Sequence, residues 1–189
     1  ENKPGMPGIL KTLHDDAASL LIQISGTNDK SLSDNIYQIK SALENIKLVN
    51  DLKFTSDKEE YDELWRIRKG LFPSVGAMRE SGTTVIIEDV CFPVDQLADA
   101  TLDLQSLFVK YDYNEAIIFG HALDGNLHFV FSQDFNTQSE INRYEKFTNE
   151  IVRLVIEKYN GSLKAEHGTG RNMAPFVEYE WGPVAYQLM

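Results

Sequence analysis

A single cysteine, Cys91, stands in 189 residues. That excludes an internal disulfide, a cysteine-ligated iron-sulfur cluster and a structural zinc knuckle within this chain, and it suits a reducing compartment. Basic residues are scarce: 18 Lys and Arg against 29 Asp and Glu leave a formal charge of −11. Such a field repels polyanions, so nucleic acid is not an expected partner. No apolar run approaches the ~20 residues that span a bilayer, so no transmembrane segment is expected. Glu1 through Gly8 lack the basic and apolar regions of a secretory signal. A cytoplasmic location is the expectation, and the chemistry must run through His, carboxylate, Arg or a borrowed cofactor. What remains is ordinary globular composition, 42% hydrophobic and 25% charged, in a length that buries roughly 70% of its unfolded surface. The chain opens on Glu1 and closes on Gln187-Leu188-Met189 without a turn or cap signal, and reads as a piece of something longer.

Residues 1–16 read as an entry linker, because Lys3 to Gly8 hold two prolines and two glycines. The apolar run Ala17 to Ile24 predicts a strand. Leu32, Ile36, Ile39, Leu43 and Ile46 recur at helical spacing and predict a helix over 31–47. A short strand is expected near Leu52 to Thr55, and Asp57 with Glu60 three residues on starts a helix carrying Leu64, Trp65 and Arg68. Thr83 to Phe92 is rich in β-branched residues and reads as a buried strand that turns acidic at Glu88-Asp89. Pro93 suits the first turn of a helix with Leu97, Thr101, Leu104 and Phe108 inward. Ala116 to His121 and Leu127 to Ser132 form two strands around an Asp124-Gly125 turn. Thr137 and Glu140 open a long helix that Asn160-Gly161 ends. This order predicts an α+β fold, most simply a ferredoxin-like antiparallel sheet covered by helices, with additions.

Three of the four histidines lie in two glycine-containing segments, Gly120 to His128 and Glu166 to Gly170. If the first folds back as a paired hairpin, His121 and His128 come within about 4.5 to 5.5 Å at Cα, and two imidazoles can share one metal. Separate hairpin histidines, one solvated and one bonded to a carbonyl, fit the spacing equally. Glu166 is the best third ligand. It serves the same site as His167 only if the backbone is irregular there, since neighbours in a regular strand face opposite ways. Gly168 and Gly170 allow that irregularity, by positive φ or close approach of backbone to ligand; a plain surface turn explains them as well. Arg66, Arg68 and Lys69 end a helix, Arg79 follows, and Lys164 and Arg171 flank the Glu-His segment. Arg can hold a carboxylate bidentately, while solvated surface charge is the ordinary reading of any one of these cations.

At Leu64 to Gly70, Val85 to Pro93, Gly120 to His128 and Lys164 to Gly170 the sequence resembles the C-terminal substrate domain of the FAD-linked oxidases. That family includes the D-lactate, glycolate and D-2-hydroxyglutarate dehydrogenases. Arg171 to Glu178 looks most similar to large bacterial dehydrogenases that join such a flavin unit to an iron-sulfur region. The resemblance implies that residues 17–189 are a substrate or cap domain over an FAD held mainly by a domain outside this chain. It implies a divalent metal (Zn, Mn or Fe) on His121, His128 and Glu166, with His167 as the base that takes the hydroxyl proton. Arg68 meets the carboxylate of a small anionic 2-hydroxy acid, and Gly168 and Gly170 lie on the cofactor side. An iron-sulfur cluster elsewhere in the full-length protein, and its peripheral association with a membrane, are also compatible. A metal that polarises the oxygen and a nearby base are the parts that hydride removal from a 2-hydroxy acid needs. The sequence departs from the 2-hydroxyglutarate type at Ile87, where those relatives carry lysine, and at Val130, where they carry asparagine. Arg79 is the candidate replacement for that lysine. Alone, the chain is expected to be colourless and inactive. A non-catalytic ferredoxin-like ligand-binding module and a metal-dependent hydrolase are the competing readings.

Overall fold

The computed structural model describes residues 17–70, 73, 79–168 and 170–189. The expected linker over residues 1–16 lies outside them. Contacts divide the chain into two units, Glu1–Gly70 and Leu71–Met189.

The first unit holds two helices, α1 (Asp29–Leu43) and α2 (Lys58–Lys69), and no residue of either is buried. Asn28 caps α1: its Oδ1 accepts the Ser31 N–H at 2.9 Å while Ser31 Oγ accepts the Asn28 N–H at 3.1 Å. This reciprocal cap starts the helix at Asp29, two residues before the expected start at 31. Asp57 caps α2 through Oδ1, which accepts from the Glu59 and Glu60 amides at 2.8 and 3.2 Å, as its sequence signal predicts. The strands expected at 17–24 and 52–55 do not form; both segments are irregular. Leu20, Leu21, Ile22 and Leu52 are exposed. An apolar run becomes a strand only where a neighbouring edge takes its amides, and no sheet among the described residues includes either segment.

The second unit carries the core. Its strands β1 (Thr84–Cys91), β2 (Ile117–His121) and β3 (Asn126–Gln133) form an antiparallel sheet in the order β1-β3-β2. After a 3-10 turn at Val94–Gln96 comes α3 (Leu97–Lys110); α4 (Gln138–Arg153) runs on through a π turn, and α5 (Val177–Tyr186) follows near the end. The order from β1 to α4 is strand, helix, strand, strand, helix, the ferredoxin-like α+β sequence. Where a fourth strand would lie on the outer edge of β1, a single bridge joins Cys91 and Ser162.

Alternation decides which side chains meet the helices. Ile86, Val90, Leu127, Phe129 and Phe131 face α3 and α4 and are buried against Ala100, Leu104, Phe108, Phe147, Ile151 and Val155. Phe108 stands edge-on to Phe129 at 5.6 Å and Phe147 edge-on to Phe131 at 5.2 Å. Each such ring contributes about 2 to 3 kcal/mol by leaving water. The opposite face carries Asp89, Asn126, His128, Phe119 and His121. No helix among the described residues is long and apolar enough to cross a membrane.

Candidate metal centre

The hairpin that bears two of the histidines turns through a 3-10 segment, Ala122–Asp124, closed by Gly125 at φ 65. His128 is paired across the sheet with Phe119 and Asp89, and His121 with Asn126. The two histidines are therefore diagonal neighbours, not the directly opposed pair that simple folding back of the segment suggests. They still share one face, with ring centroids 5.7 Å apart, because a two-residue offset preserves the side.

Glu166 completes the cluster from a distant segment. Its Oε1 lies 2.8 Å from His128 Nε2 and 3.4 Å from His121 Nε2. One ligand atom from each of His121, His128 and Glu166 falls within 4.8 Å of the others. His167 turns to the same place: its ring stacks on His128 at 4.8 Å, and its Nε2 is 3.5 Å from Glu166 Oε1. Consecutive residues meet one site because the backbone over 164–168 belongs to no strand, which is the irregularity the Glu-His pair requires. The Ala165, Glu166 and His167 amides all donate to Asp89 Oδ2, at 3.1, 2.8 and 2.9 Å. Asn126 Nδ2 donates to Asp89 Oδ1 at 2.5 Å and to the Val90 carbonyl at 3.1 Å.

Burial sets the charge states. Asp89 is 1% exposed and His128 3%. Burial pushes the Asp89 carboxyl up, but the His167 amide, the Asn126 side chain and the Ala165 and Glu166 amides outweigh it and hold the group below the usual carboxylate range. Burial pushes His128 down, with Asp89 opposing, and the net shift is downward. His128 is thus a neutral imidazole near pH 7, the form that binds a cation. Its Nδ1 lies 3.2 Å from Asp89 Oδ1 without the alignment of a hydrogen bond.

A divalent ion fits this donor set. Two imidazoles and one carboxylate, with His121 and Glu166 exposed and His128 buried, are three protein ligands that leave coordination positions open on the solvent side. The glycines act differently from their neighbours. Gly168 and Gly170 both have positive φ, 68 and 64, and a Cβ at either would meet nothing within 4 Å. Their contribution is a backbone conformation and not a close approach among the described residues.

The expected cations divide. Arg68 sits half-buried in the last turn of α2, in the first unit. Arg79 is exposed and donates from Nη1 to the Thr83 carbonyl. Lys164 is turned to the helix-covered side, where its Nζ meets Glu88 Oε2 at 2.6 Å, so it does not face the histidines. Sequence reading missed Asp89 and Asn126. The available signal was the Glu88-Asp89 pair inside an otherwise apolar strand.

Comparison with known proteins shows the chain's family. The chain is 27% identical over 140 residues to the probable mitochondrial D-lactate dehydrogenase of Danio rerio, covering 74% of this chain and 28% of that protein. It is 32% identical over 124 residues to the glycolate oxidase subunit GlcD of Bacillus subtilis, covering 66% and 26%. It is 26% identical over 143 residues to the D-2-hydroxyglutarate dehydrogenase of Stutzerimonas stutzeri, covering 75% and 30%. The chain thus spans between a quarter and a third of the length of these relatives. The family model for the C-terminal domain of FAD linked oxidases matches residues 4–189. With both histidine segments and the glutamate inside a match of that extent, the chain belongs to the FAD linked oxidases, as their C-terminal domain.

Proposed function

We propose that the polypeptide carrying this domain oxidises a small D-2-hydroxy acid to the 2-oxo acid, and that the domain supplies its metal and substrate contacts. The observation that carries this reading is the convergence of His121, His128 and Glu166 within 4.8 Å, with His167 stacked against the cluster. Relatives named for D-lactate, glycolate and D-2-hydroxyglutarate support the substrate class. A metal held by His121, His128 and Glu166 would supply polarisation of the substrate hydroxyl oxygen, and a flavin, held mainly outside this chain, would supply the hydride acceptor.

The chain's own residues divide the remaining work. His121, His128 and Glu166 hold the ion. His167, beside Glu166 and half-exposed to solvent, accepts the hydroxyl proton, an assistance of about 10² to 10⁴ in rate. Arg68 and Arg79 are assigned to the substrate carboxylate, which a guanidinium holds through paired hydrogen bonds. Gly168 and Gly170 shape the turn on the cofactor side.

Two measurements test the assignment. The full-length polypeptide should show flavin absorbance and reduce a dye acceptor with D-lactate, glycolate or D-2-hydroxyglutarate; no reduction with any of the three defeats the dehydrogenase reading. Titration with Mn²⁺ should show binding that is lost in a His121→Ala, His128→Ala double variant. Equal binding in that variant removes the metal assignment.

A further inference from the structure

Glu88 and Asp89 are adjacent on β1 and face opposite sides of the sheet. Both reach the segment that follows α4. Asp89 gathers three consecutive amides, those of Ala165, Glu166 and His167, onto one oxygen. Glu88, buried at 4% exposure, binds Lys164 Nζ through Oε2 and Asn172 Nδ2 through Oε1, each at 2.6 Å. The segment is thereby tied at Lys164, at 165–167 and at Asn172 by two neighbouring carboxylates.

The alternative for this segment is a fourth strand. Its first step exists: Cys91 and Ser162 exchange N–H to carbonyl bonds at 2.9 Å in both directions. Pairing goes no further: the Leu163 amide donates to the Glu180 carboxylate and the Lys164 amide to Ser162 Oγ, each at 3.3 Å, and the three amides after them donate to Asp89. In a continued strand Glu166 and His167 would face opposite ways; three amides converging on one carboxylate curl the backbone into a concavity. That curl aims Glu166 at His128 and His121 while His167 stacks beside them.

We infer that Glu88 and Asp89 are positioning residues that hold the curled segment after Ser162 and set the Glu166 ligand and His167 against the hairpin histidines. Asp89 also stands 3.2 Å from His128 Nδ1, so it touches both halves of the site. Through the amides of 165–167 it holds the Glu166 ligand from behind, and loss of an outer partner of a metal ligand weakens metal affinity about 10- to 100-fold. The inference rests on the metal reading proposed above.

The test is Mn²⁺ affinity of the full-length polypeptide, read from the free-ion electron paramagnetic resonance signal, beside melting temperature in chelator. Asp89→Asn should weaken Mn²⁺ binding at least about 10-fold. Leu104→Ala, a truncation of a fully buried core side chain on α3, supplies the control. It should lower the melting temperature by as much or more while leaving Mn²⁺ affinity unchanged. Should Asp89→Asn fail to fold, the charge-neutral pair Glu88→Gln with Lys164→Gln carries the test, and it too should weaken Mn²⁺ binding. Wild-type affinity in a folded Asp89→Asn, or in the double variant, overturns the inference; so does an equal loss of affinity in Leu104→Ala. Absence of Mn²⁺ binding by the wild type would instead defeat the metal reading itself, so the two failures are told apart.

Discussion

Two glycines with nearly the same left-handed backbone sit in different surroundings, and replacing each with alanine separates conformation from contact. Gly125 has φ 65 and Gly168 has φ 68. Alanine in this region costs roughly 1 to 2 kcal/mol at either place. At Gly168 nothing lies within 4 Å of the added Cβ, whereas at Gly125 it would stand 1.9 Å from the Phe92 carbonyl oxygen. The Gly125 carbonyl also accepts the Phe92 amide at 2.9 Å. Separation of these backbones sacrifices that bond, about 0.5 to 1.5 kcal/mol, and adds overpacking strain of about 1 to 3 kcal/mol. Gly125→Ala should therefore cost about 3 to 6 kcal/mol and Gly168→Ala about 1 to 2. At about 2 to 4 °C per kcal/mol, thermal melts followed by circular dichroism in chelator should show a melting-temperature loss at least about 1.5 times as large for Gly125→Ala. Because Gly125 closes the turn between His121 and His128, the same variant should weaken Mn²⁺ binding. Equal losses at the two positions, or a larger one at Gly168, would refute the role given to the Phe92 contact.

Phe147→Ala, which removes a ring 1% exposed among Phe108, Phe131 and Tyr113, should destabilise by about 3 to 5 kcal/mol in denaturant titration, with Mn²⁺ affinity unchanged. His121 is exposed and His128 is 3% exposed. The general rule that hairpin-end residues add little to a core therefore applies to His121 alone. His121→Ala should shift the unfolding midpoint by about 0.5 kcal/mol or less, and His128→Ala by about 2 kcal/mol or more. The Asp103 carboxyl is held below its usual range by Lys158, then Tyr159. A depressed pKa adds stability above the unfolded value near 4 that is lost as pH falls through the folded one. Asp103→Asn should therefore melt below wild type at pH 7, and the two curves should converge as the pH falls below about 4.

Local chemistry made most of the second unit legible. The β-branched run at Thr84–Cys91, the Asp-Gly turn, the Thr137 cap and the Asn160-Gly161 stop each depend on residues within a few positions, and each appears where expected. The same logic failed at 17–24 and 52–55, where apolar composition was present and a pairing edge was not. The π turn at Leu154–Lys158 also left no signal in the apolar spacing.

From the sequence alone came part of the inventory of the candidate centre: two histidines flanking a tight turn and a Glu-His pair before a Gly-x-Gly. Tertiary structure decided how they combine. Register made His121 and His128 diagonal neighbours on one face, and alternation sent Lys164 with Glu88 to the other. The curl at 165–167 depends on a carboxylate some 76 to 78 positions away in the chain. No pattern along the sequence encodes such a contact, because only the folded sheet brings Asp89 within reach of those amides.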